Sequence, residues 1–522
     1  MEQSRPLRQR AEQAVNTVPV WSVDPRTGEQ IEQVTVEATG ADVDRAVRAA
    51  AGTRQSLADR ARRAEFLRAV AAELESDGER IIAAADRESA LGVPRLTGEL
   101  ARTAYQFRAF ADVVDEGAYL DVIIDHADPQ AKPVPRPDLR RWKTPLGVVA
   151  VFAASNFPLA FSVSGGDTAS ALAAGCPVVA KAHPDHPATS ELTGAAIRRA
   201  AVASGLDEDV LVVVHGRQAG VDLVRHPEIA GVGFTGSVAG GRFLFDLAVS
   251  REQPIPFYGE LGSLNPVVVT EAAASARAKE IGTGLAGSFT LGMGQFCTKP
   301  GLVLVPAGPA GDEVEAALAA AAGEAASGAL LDPRMREAFL AGFAERAELA
   351  GVSVAVEAGA DDGVDGVPLA VRPGYLRVAA ADVGDGSALL EECFGPVTVI
   401  VRYEDAAEVE RVLAAVGGNL TATLHAEADE PAARELLERL AGVAGRVLFG
   451  GWPTGVAVAA GMNHGGPYPS STSTSTSVGA TAIERWVRPV AFQNAPEALL
   501  PVELRDAGVA GLPRRVDGVL HI

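Results

Sequence analysis

The sequence predicts an α/β fold, and three observations lead there. From Gly147 to about Val269, short continuous apolar runs alternate with helix-patterned stretches. Strands that are apolar along their whole length are buried on both faces, so this alternation implies a parallel, doubly wound sheet. A second α/β region runs from Glu260 to roughly residue 460, and 522 residues with a hydrophobic fraction of 48% suffice for two or three domains with large cores.

The first 120 residues read mainly as helices able to cover a sheet, as in Arg60 to Ser76, where Leu67, Val70 and Leu74 recur at helical spacing. Residues 118–142 change character. Tyr119 to Ile124 reads as a strand, and the proline-rich run from Lys132 to Pro137 as an edge or linker. The first sheet's strands are expected at Gly147–Phe152, Val178–Lys181, Val210–Val214 and Gly231–Phe234, with ligands at their carboxyl ends. The second region's strands are expected at Leu302–Val305, Val397–Val401 and Thr421–Leu424. Residues 470–477 alternate serine and threonine and read as a solvated loop. Beyond Ile483 strand-like and proline-rich character returns, and no internal repeat is evident.

Composition excludes several classes of function. A net charge of −21 argues against a nucleic-acid or anionic-membrane surface. No apolar run is long enough to span a bilayer, and Met1 to Arg5 lead into polar sequence without a signal-peptide core, so a cytoplasmic location is expected. Cys176, Cys297 and Cys393 are too scattered for a disulfide framework. His183 and His186 form an HxxH flanked by prolines with no third ligand nearby, and no metal is expected.

Cys297, in the stretch Gly294-Gln295-Phe296-Cys297-Thr298, is either an inert small hydrophobe or a nucleophile beside a tight glycine turn at Gly292 and Gly294. Asn156 follows the first strand of the doubly wound sheet, at the edge where a ligand belongs. It either donates to an oxyanion or caps a helix beginning at Phe157-Pro158. Glu260 lies between apolar residues and is either a buried structural acid or a general base of raised pKa. Gly236, Ser237 and Gly241 stand between a strand and a helix, where backbone amides can approach a diphosphate. Lys181, one of five lysines against 41 arginines, closes an apolar strand. Arg217 follows the next strand, either as an ordinary surface arginine or as a bidentate partner for a phosphate.

The ordered set SNFPL, VVAK, FTGS followed by Gly241, ELG, GQFC and EECFGP resembles the aldehyde dehydrogenase family over nearly the whole length. The resemblance implies a Rossmann-type cofactor domain (1–117 and 143–259), an α/β catalytic domain (260–462) and a small β oligomerisation element with a tail (118–142 and 484–522). A homodimer or homotetramer follows from it. It also implies that Cys297 is the nucleophile, Asn156 an oxyanion donor, and Glu260 the activator of water for thioester hydrolysis. A thiolate is the effective nucleophile, so the Cys297 pKa is expected to be lowered by nearby donors or by the cofactor's positive ring. Lys181, Gly236, Ser237, Gly241, Glu392 and Phe394 match cofactor positions, with Lys181 on the adenosine ribose and Glu392 and Phe394 at the nicotinamide end.

Where NAD-preferring members often carry a glutamate, this chain has Pro184, so no carboxylate there opposes a 2′-phosphate and Arg217 can grip it. NADP is therefore the expected cofactor, with NAD usable. The run Ala154–Pro187, HGGPYP and the closing ALLPVEL are similar to the branch holding 2,5-dioxopentanoate (α-ketoglutarate semialdehyde) dehydrogenases and NADP-dependent fatty-aldehyde dehydrogenases. Two departures bear on the substrate pocket. Ser155 replaces a frequent tryptophan, and the stretch from His464 to Pro469 replaces a GGxKxSG pattern. Substrate contacts are expected from Phe157, and from Arg102 or Arg108 for a substrate carboxylate. The expected reaction is oxidation of 2,5-dioxopentanoate to 2-oxoglutarate, with a long-chain aliphatic aldehyde as the rival substrate. A CoA-acylating enzyme would not need Glu260, and an inactive paralogue would not need the whole catalytic set.

Overall fold

The computed structural model describes residues 18–522. Met1 to Arg5 and the start of the first expected domain lie outside these residues. Strands Leu211–Val214, Val178–Lys181, Val148–Phe152, Ile229–Thr235 and Phe257–Glu260 lie in that order in one sheet, and every pairing is parallel. Alternate residues of the central strand enter different cores, as the two-residue period of a strand requires. Val148, Ala150 and Phe152 pack with Val43 and Val47 of the helix Gly40–Gly52. Val149 and Val151 pack with Leu67 and Val70 of Arg60–Ser76 and with Phe107 of Val93–Glu116. The N-terminal helices therefore cover the sheet. Two strands, Pro19–Val23 and Gln30–Val36, form an antiparallel hairpin in this stretch. Gln30–Val36 is mostly exposed, so it carries no apolar alternation to announce it.

The second sheet runs in the order Ser353–Val356, Gly374–Ala379, Val397–Tyr403, Leu302–Pro306, Val267–Val269, Asn419–His425 and Ala444–Phe449. Only its first pair is antiparallel. Leu302, Leu304, Val397 and Val399 face one core, and Val303, Val305 and Ile400 face another that holds the helices Glu271–Thr290 and Pro309–Gly323. Those helices meet at Gly282, where a Cβ would fall 2.3 Å from the Val314 carbonyl oxygen and 2.8 Å from the Ala317 Cβ. Gly282→Ala is expected to lower the thermal midpoint, because overpacking costs about 1–3 kcal/mol and exceeds the gain of about 1 kcal/mol in helix propensity. Gly287→Ala, on the same helix with nothing within 4 Å of the added Cβ, should leave the midpoint unchanged or raise it. Calorimetry of the pair checks this.

Residues 118–142 and the C-terminal tail meet in a third sheet, ordered Val487–Gln493, Leu139–Pro145, Val122–Asp125, Arg514–Val516 and Val519–His521. Tyr119 and Leu120 form a short helical turn before the strand instead of its beginning. No regular helix starts at Phe157-Pro158. Irregular turns occupy that segment, and the helix begins at Gly166. No helix among the described residues is long and apolar enough to cross a membrane.

The serine/threonine run is not a solvated loop: Ser470 is 0% exposed and Ser477 8%. It lies along the strand Phe257–Glu260, with Gly259 N–H donating to Thr472 Oγ1 at 2.8 Å and Leu261 N–H to the Ser470 carbonyl at 2.8 Å. Hydroxyl side chains both donate and accept, so they satisfy buried backbone groups that an apolar segment would strand.

Candidate active site

Cys297 stands beyond the helix Glu271–Thr290, after a turn in which Gly292 and Gly294 adopt φ of +54° and +64°. Gly294 is required for more than its dihedral. A Cβ there would lie 2.2 Å from the Gly395 carbonyl oxygen, so this glycine lets the turn close on the segment that carries Glu392 and Phe394. Asn265 donates from Nδ2 to the carbonyls of Cys297, at 2.8 Å, and Lys299, at 2.9 Å, fixing the backbone on the far side.

Folding brings Glu260 to Cys297 through a residue the sequence did not single out. His464 is 1% exposed, with Nε2 3.6 Å from Cys297 Sγ and 2.9 Å from Glu260 Oε1. Ser477 Oγ donates to Glu260 Oε2 at 3.0 Å, and His464 N–H donates to Thr476 Oγ1 at 2.8 Å. The buried serine/threonine run thus holds both the carboxylate and the imidazole.

These contacts change the expected ionisation of both groups. Burial alone would raise the Glu260 pKa, but the charge of His464 and hydrogen bonds from His464, Cys297 and Ser477 hold it below the ordinary carboxylate value. The raised pKa expected from the apolar flanks does not hold, because donors outweigh desolvation. For Cys297, burial and the Glu260 carboxylate push the thiol well above its usual value, while Arg102 pulls it down. The lowered pKa expected of Cys297 is likewise absent in the protein alone. The acceptor that faces this thiol is the Glu260 carboxylate, since His464 Nε2 donates to that same carboxylate.

Asn156 is 8% exposed, and its Nδ2 donates to the Gln295 carbonyl at 3.0 Å, two residues before Cys297. The Asn156 carbonyl accepts from Arg95 Nη2 at 2.7 Å. The rings of Phe157, Phe161 and Phe296 meet edge to face, at 5.4 Å for Phe157 with Phe161 and 5.3 Å for Phe157 with Phe296. Arg95 lies over Phe157 and Phe296, at 5.0 and 4.6 Å from the ring centres, and Arg102 over Phe161 at 4.9 Å. Both Nη atoms of Arg102 and Nη1 of Arg95 are buried with no hydrogen-bond partner among the described residues. Burial lowers the pKa of both arginines and the buried Glu99 raises it; for Arg102 alone, Cys297 and Glu260 add smaller contributions in the same direction. Arg108 is not part of this wall. It faces outward and forms a bidentate pair with Glu75 at 2.7 and 2.5 Å, because six positions along the helix turn it about 120° away from Arg102.

A cleft of about 720 Å³ is lined by Ser237, Val238, Gly262, Glu392 and Phe394 among others, so three of the expected cofactor residues share one space. Ser237 caps the helix Val238–Val249 through Gly240 N–H, leaving that helix's N-terminal amides toward the cleft. Gly241 packs under this turn. A Cβ there would meet Leu261 Cδ2 at 2.1 Å and Phe234 Cε1 at 2.9 Å, while Gly236 N–H donates to the Glu260 carbonyl at 3.1 Å. Burial pushes the Glu392 carboxyl up to about 7 against the pull of Lys299. The space and its donors fit a dinucleotide.

Lys181 ends its strand with the ammonium pushed down to about 8 by burial, against the pull of Asp185 and Glu37, and Arg217 lowers it further. Arg217 is the first residue of the helix Arg217–Arg225, so both expected adenosine-side cations occupy one corner. Glu37 is there too: a Cβ on Gly216 would lie 3.0 Å from the Glu37 Cβ and 3.2 Å from its Cδ. Pro184 removes one carboxylate from this corner and the segment after the first hairpin supplies another, which sequence position alone did not reveal.

Residues 11–490 match the aldehyde dehydrogenase family. The chain is 47% identical over 502 residues to alpha-ketoglutaric semialdehyde dehydrogenase 2 of Azospirillum brasilense, covering 95% of each chain. It is 40% identical over 512 residues to alpha-ketoglutaric semialdehyde dehydrogenase of Acinetobacter baylyi, covering 97% of each. Among solved structures, gamma-glutamyl-gamma-aminobutyraldehyde dehydrogenase from Burkholderia cenocepacia superposes with a TM-score of 0.77 at 23% identity, over 91% of this chain and 92% of that one. At that identity the likeness concerns the fold.

Proposed function

The chain belongs to the aldehyde dehydrogenase family and is an aldehyde-oxidising oxidoreductase, and we propose that it oxidises 2,5-dioxopentanoate to 2-oxoglutarate with NADP. The observation that carries the reading is the cluster of Cys297, His464 and Glu260 facing a buried, unpartnered Arg102 across an aromatic wall. A small aldehyde with a carboxylate at its other end has a cation for one end and a nucleophile for the other. The two relatives named for this activity support the same substrate.

Cys297 passes its proton to the Glu260 carboxylate, which His464 Nε2–H and Ser477 orient, and attacks the aldehyde carbon. The Cys297 backbone N–H and the Asn156 amide stabilise the oxyanion of the thiohemiacetal. Lys181, Arg217, Gly236, Ser237, Gly241, Glu392 and Phe394 would hold NADP, which would supply the hydride acceptor. Glu260, having released the thiol's proton to solvent, then takes a proton from the water that hydrolyses the Cys297 thioester. Phe157, Phe161 and Phe296 exclude bulk water from the acyl group. We assign the protein to the cytoplasm, in keeping with its three free cysteines. The third sheet, with Val519 and Leu520 exposed at its edge, supports assembly into a homodimer or homotetramer.

Arg102→Met tests the substrate. A charge-assisted contact contributes about 1.5–3 kcal/mol, so kcat/KM for 2,5-dioxopentanoate should fall about ten- to a hundredfold while an uncharged aldehyde of equal length is unaffected. Equal losses for both aldehydes would remove Arg102 from substrate recognition. The aromatic wall favours a second reading, a long-chain aliphatic aldehyde, which predicts that Arg102→Met improves such substrates and that the wild type prefers them.

Cofactor preference is set by opposed charges at the adenosine corner. Arg217→Ala should weaken NADP by about ten- to a hundredfold and spare NAD. Pro184→Glu should also weaken NADP, whereas Glu37→Gln should strengthen it. Ratios of kcat/KM for the two cofactors check all three, and equal losses in Arg217→Ala would leave Arg217 with a role in the fold alone.

A further inference from the structure

We propose that Cys297, His464 and Glu260 form a binding site for a thiophilic divalent cation, of which zinc is the best match, and that occupancy reversibly switches the enzyme off. One ligand atom from each residue lies within 4.8 Å of the others. These three donors, a sulfur, an imidazole nitrogen and a carboxylate oxygen, are the set that selects zinc over magnesium or calcium. Zn–S and Zn–N bonds of about 2.3 and 2.0 Å at a tetrahedral angle hold the two atoms about 3.5 Å apart. Cys297 Sγ and His464 Nε2 are 3.6 Å apart. The same geometry asks for about 3.3 Å between nitrogen and oxygen, and His464 Nε2 to Glu260 Oε1 at 2.9 Å needs to open by only a few tenths.

Three further features favour occupancy. All three residues reach the point from separate elements, the strand end at Glu260, the turn at Cys297 and the buried segment before the serine/threonine run, so the donors are placed by tertiary packing. Ser477 holds the second carboxylate oxygen at 3.0 Å, orienting the ligand from outside. Three protein donors leave a fourth tetrahedral position open to water. No CxxC or HxxH spacing announces this set, because its members are 37 and 167 positions apart along the chain.

On binding, the Cys297 thiol loses its proton to solvent and its sulfur bonds the cation, while His464 coordinates through neutral Nε2 and Glu260 through Oε1. The nucleophile, the carboxylate that serves it as base and the imidazole that orients that carboxylate are occupied together, with no change of oxidation state.

Full-length enzyme, reduced and stripped with a chelator, is titrated with Co²⁺ in the absence of cofactor and aldehyde. The expected result is one equivalent bound per chain, with a thiolate-to-cobalt charge-transfer band and the visible spectrum of a tetrahedral ion, both abolished by Zn²⁺. Cys297→Ser should remove the charge-transfer band, whereas Cys176→Ala and Cys393→Ala keep it. His464→Ala and Glu260→Gln should each weaken binding by more than the roughly ten- to a hundredfold expected of the outer Ser477→Ala. Zn²⁺ should abolish turnover and a chelator restore it. Cobalt bound without a thiolate band, or with unchanged affinity in His464→Ala and Glu260→Gln, would overturn the site. Because the band is read without substrate, an enzyme that binds cobalt as described but ignores 2,5-dioxopentanoate would refute the substrate and keep the metal site.

Discussion

Cys297→Ala is expected to lower kcat by at least about ten-thousandfold while leaving the dissociation constant of NADP nearly unchanged. The size follows from what the residue does: a covalent nucleophile has no substitute in the pocket, and removing one costs enzymes several powers of ten. The selectivity follows from position. Cys297 lies beside His464 and Glu260, and the dinucleotide cleft is lined by other residues. Cys176 and Cys393 serve as internal controls. Cys176 is fully buried, its thiol donates to the Trp486 carbonyl at 3.3 Å and burial pushes its pKa up to about 11. Cys393 sits in the core of the second sheet, its thiol likewise raised by burial. Alanine at either position should retain turnover. Steady-state kinetics with fluorescence titration of NADP separates the three, and wild-type turnover in Cys297→Ala would end the proposed mechanism.

The strands were legible because a parallel sheet buries both faces, so Val148–Phe152 and Leu302–Pro306 had to be continuously apolar. The hairpin Gln30–Val36 was not, since an exposed strand carries no such signature. At the site, Cys297 and Glu260 stood in short motifs, whereas His464 lies 204 residues from its carboxylate partner and 167 from the thiol. Only its presence where another pattern was expected marked it. Pairing across such distances is set by how the serine/threonine run folds back on Phe257–Glu260, and composition reads that run as solvent-exposed. Arg95 and Glu37 were hidden for the same reason: nothing local distinguishes a surface charge from one that tertiary packing turns inward. Arg102 and Arg108 are the reverse case, two arginines on one helix that the sequence did not tell apart and that the helix turns about 120° from one another.

Glu260→Gln is the second large effect, and its signature is kinetic. Glutamine keeps the volume and can still accept from Ser477, but it cannot take a proton from water, and loss of a positioned general base costs typically about a hundred- to ten-thousandfold. That loss should fall on steady-state turnover. Acylation should be spared, because the Glu260 carboxylate is one of the charges that hold the Cys297 thiol well above its usual pKa. Removing that charge lowers the thiol's pKa and releases His464 Nε2 from donating to a carboxylate, so the imidazole can take the thiol's proton in this variant. Rapid mixing of Glu260→Gln with NADP and aldehyde should therefore show a burst of NADPH approaching one per site, followed by slow turnover as the thioester accumulates on Cys297. A variant that lost the burst yet hydrolysed a preformed thioester at the wild-type rate would confine Glu260 to the attack step and leave His464 as the hydrolytic base.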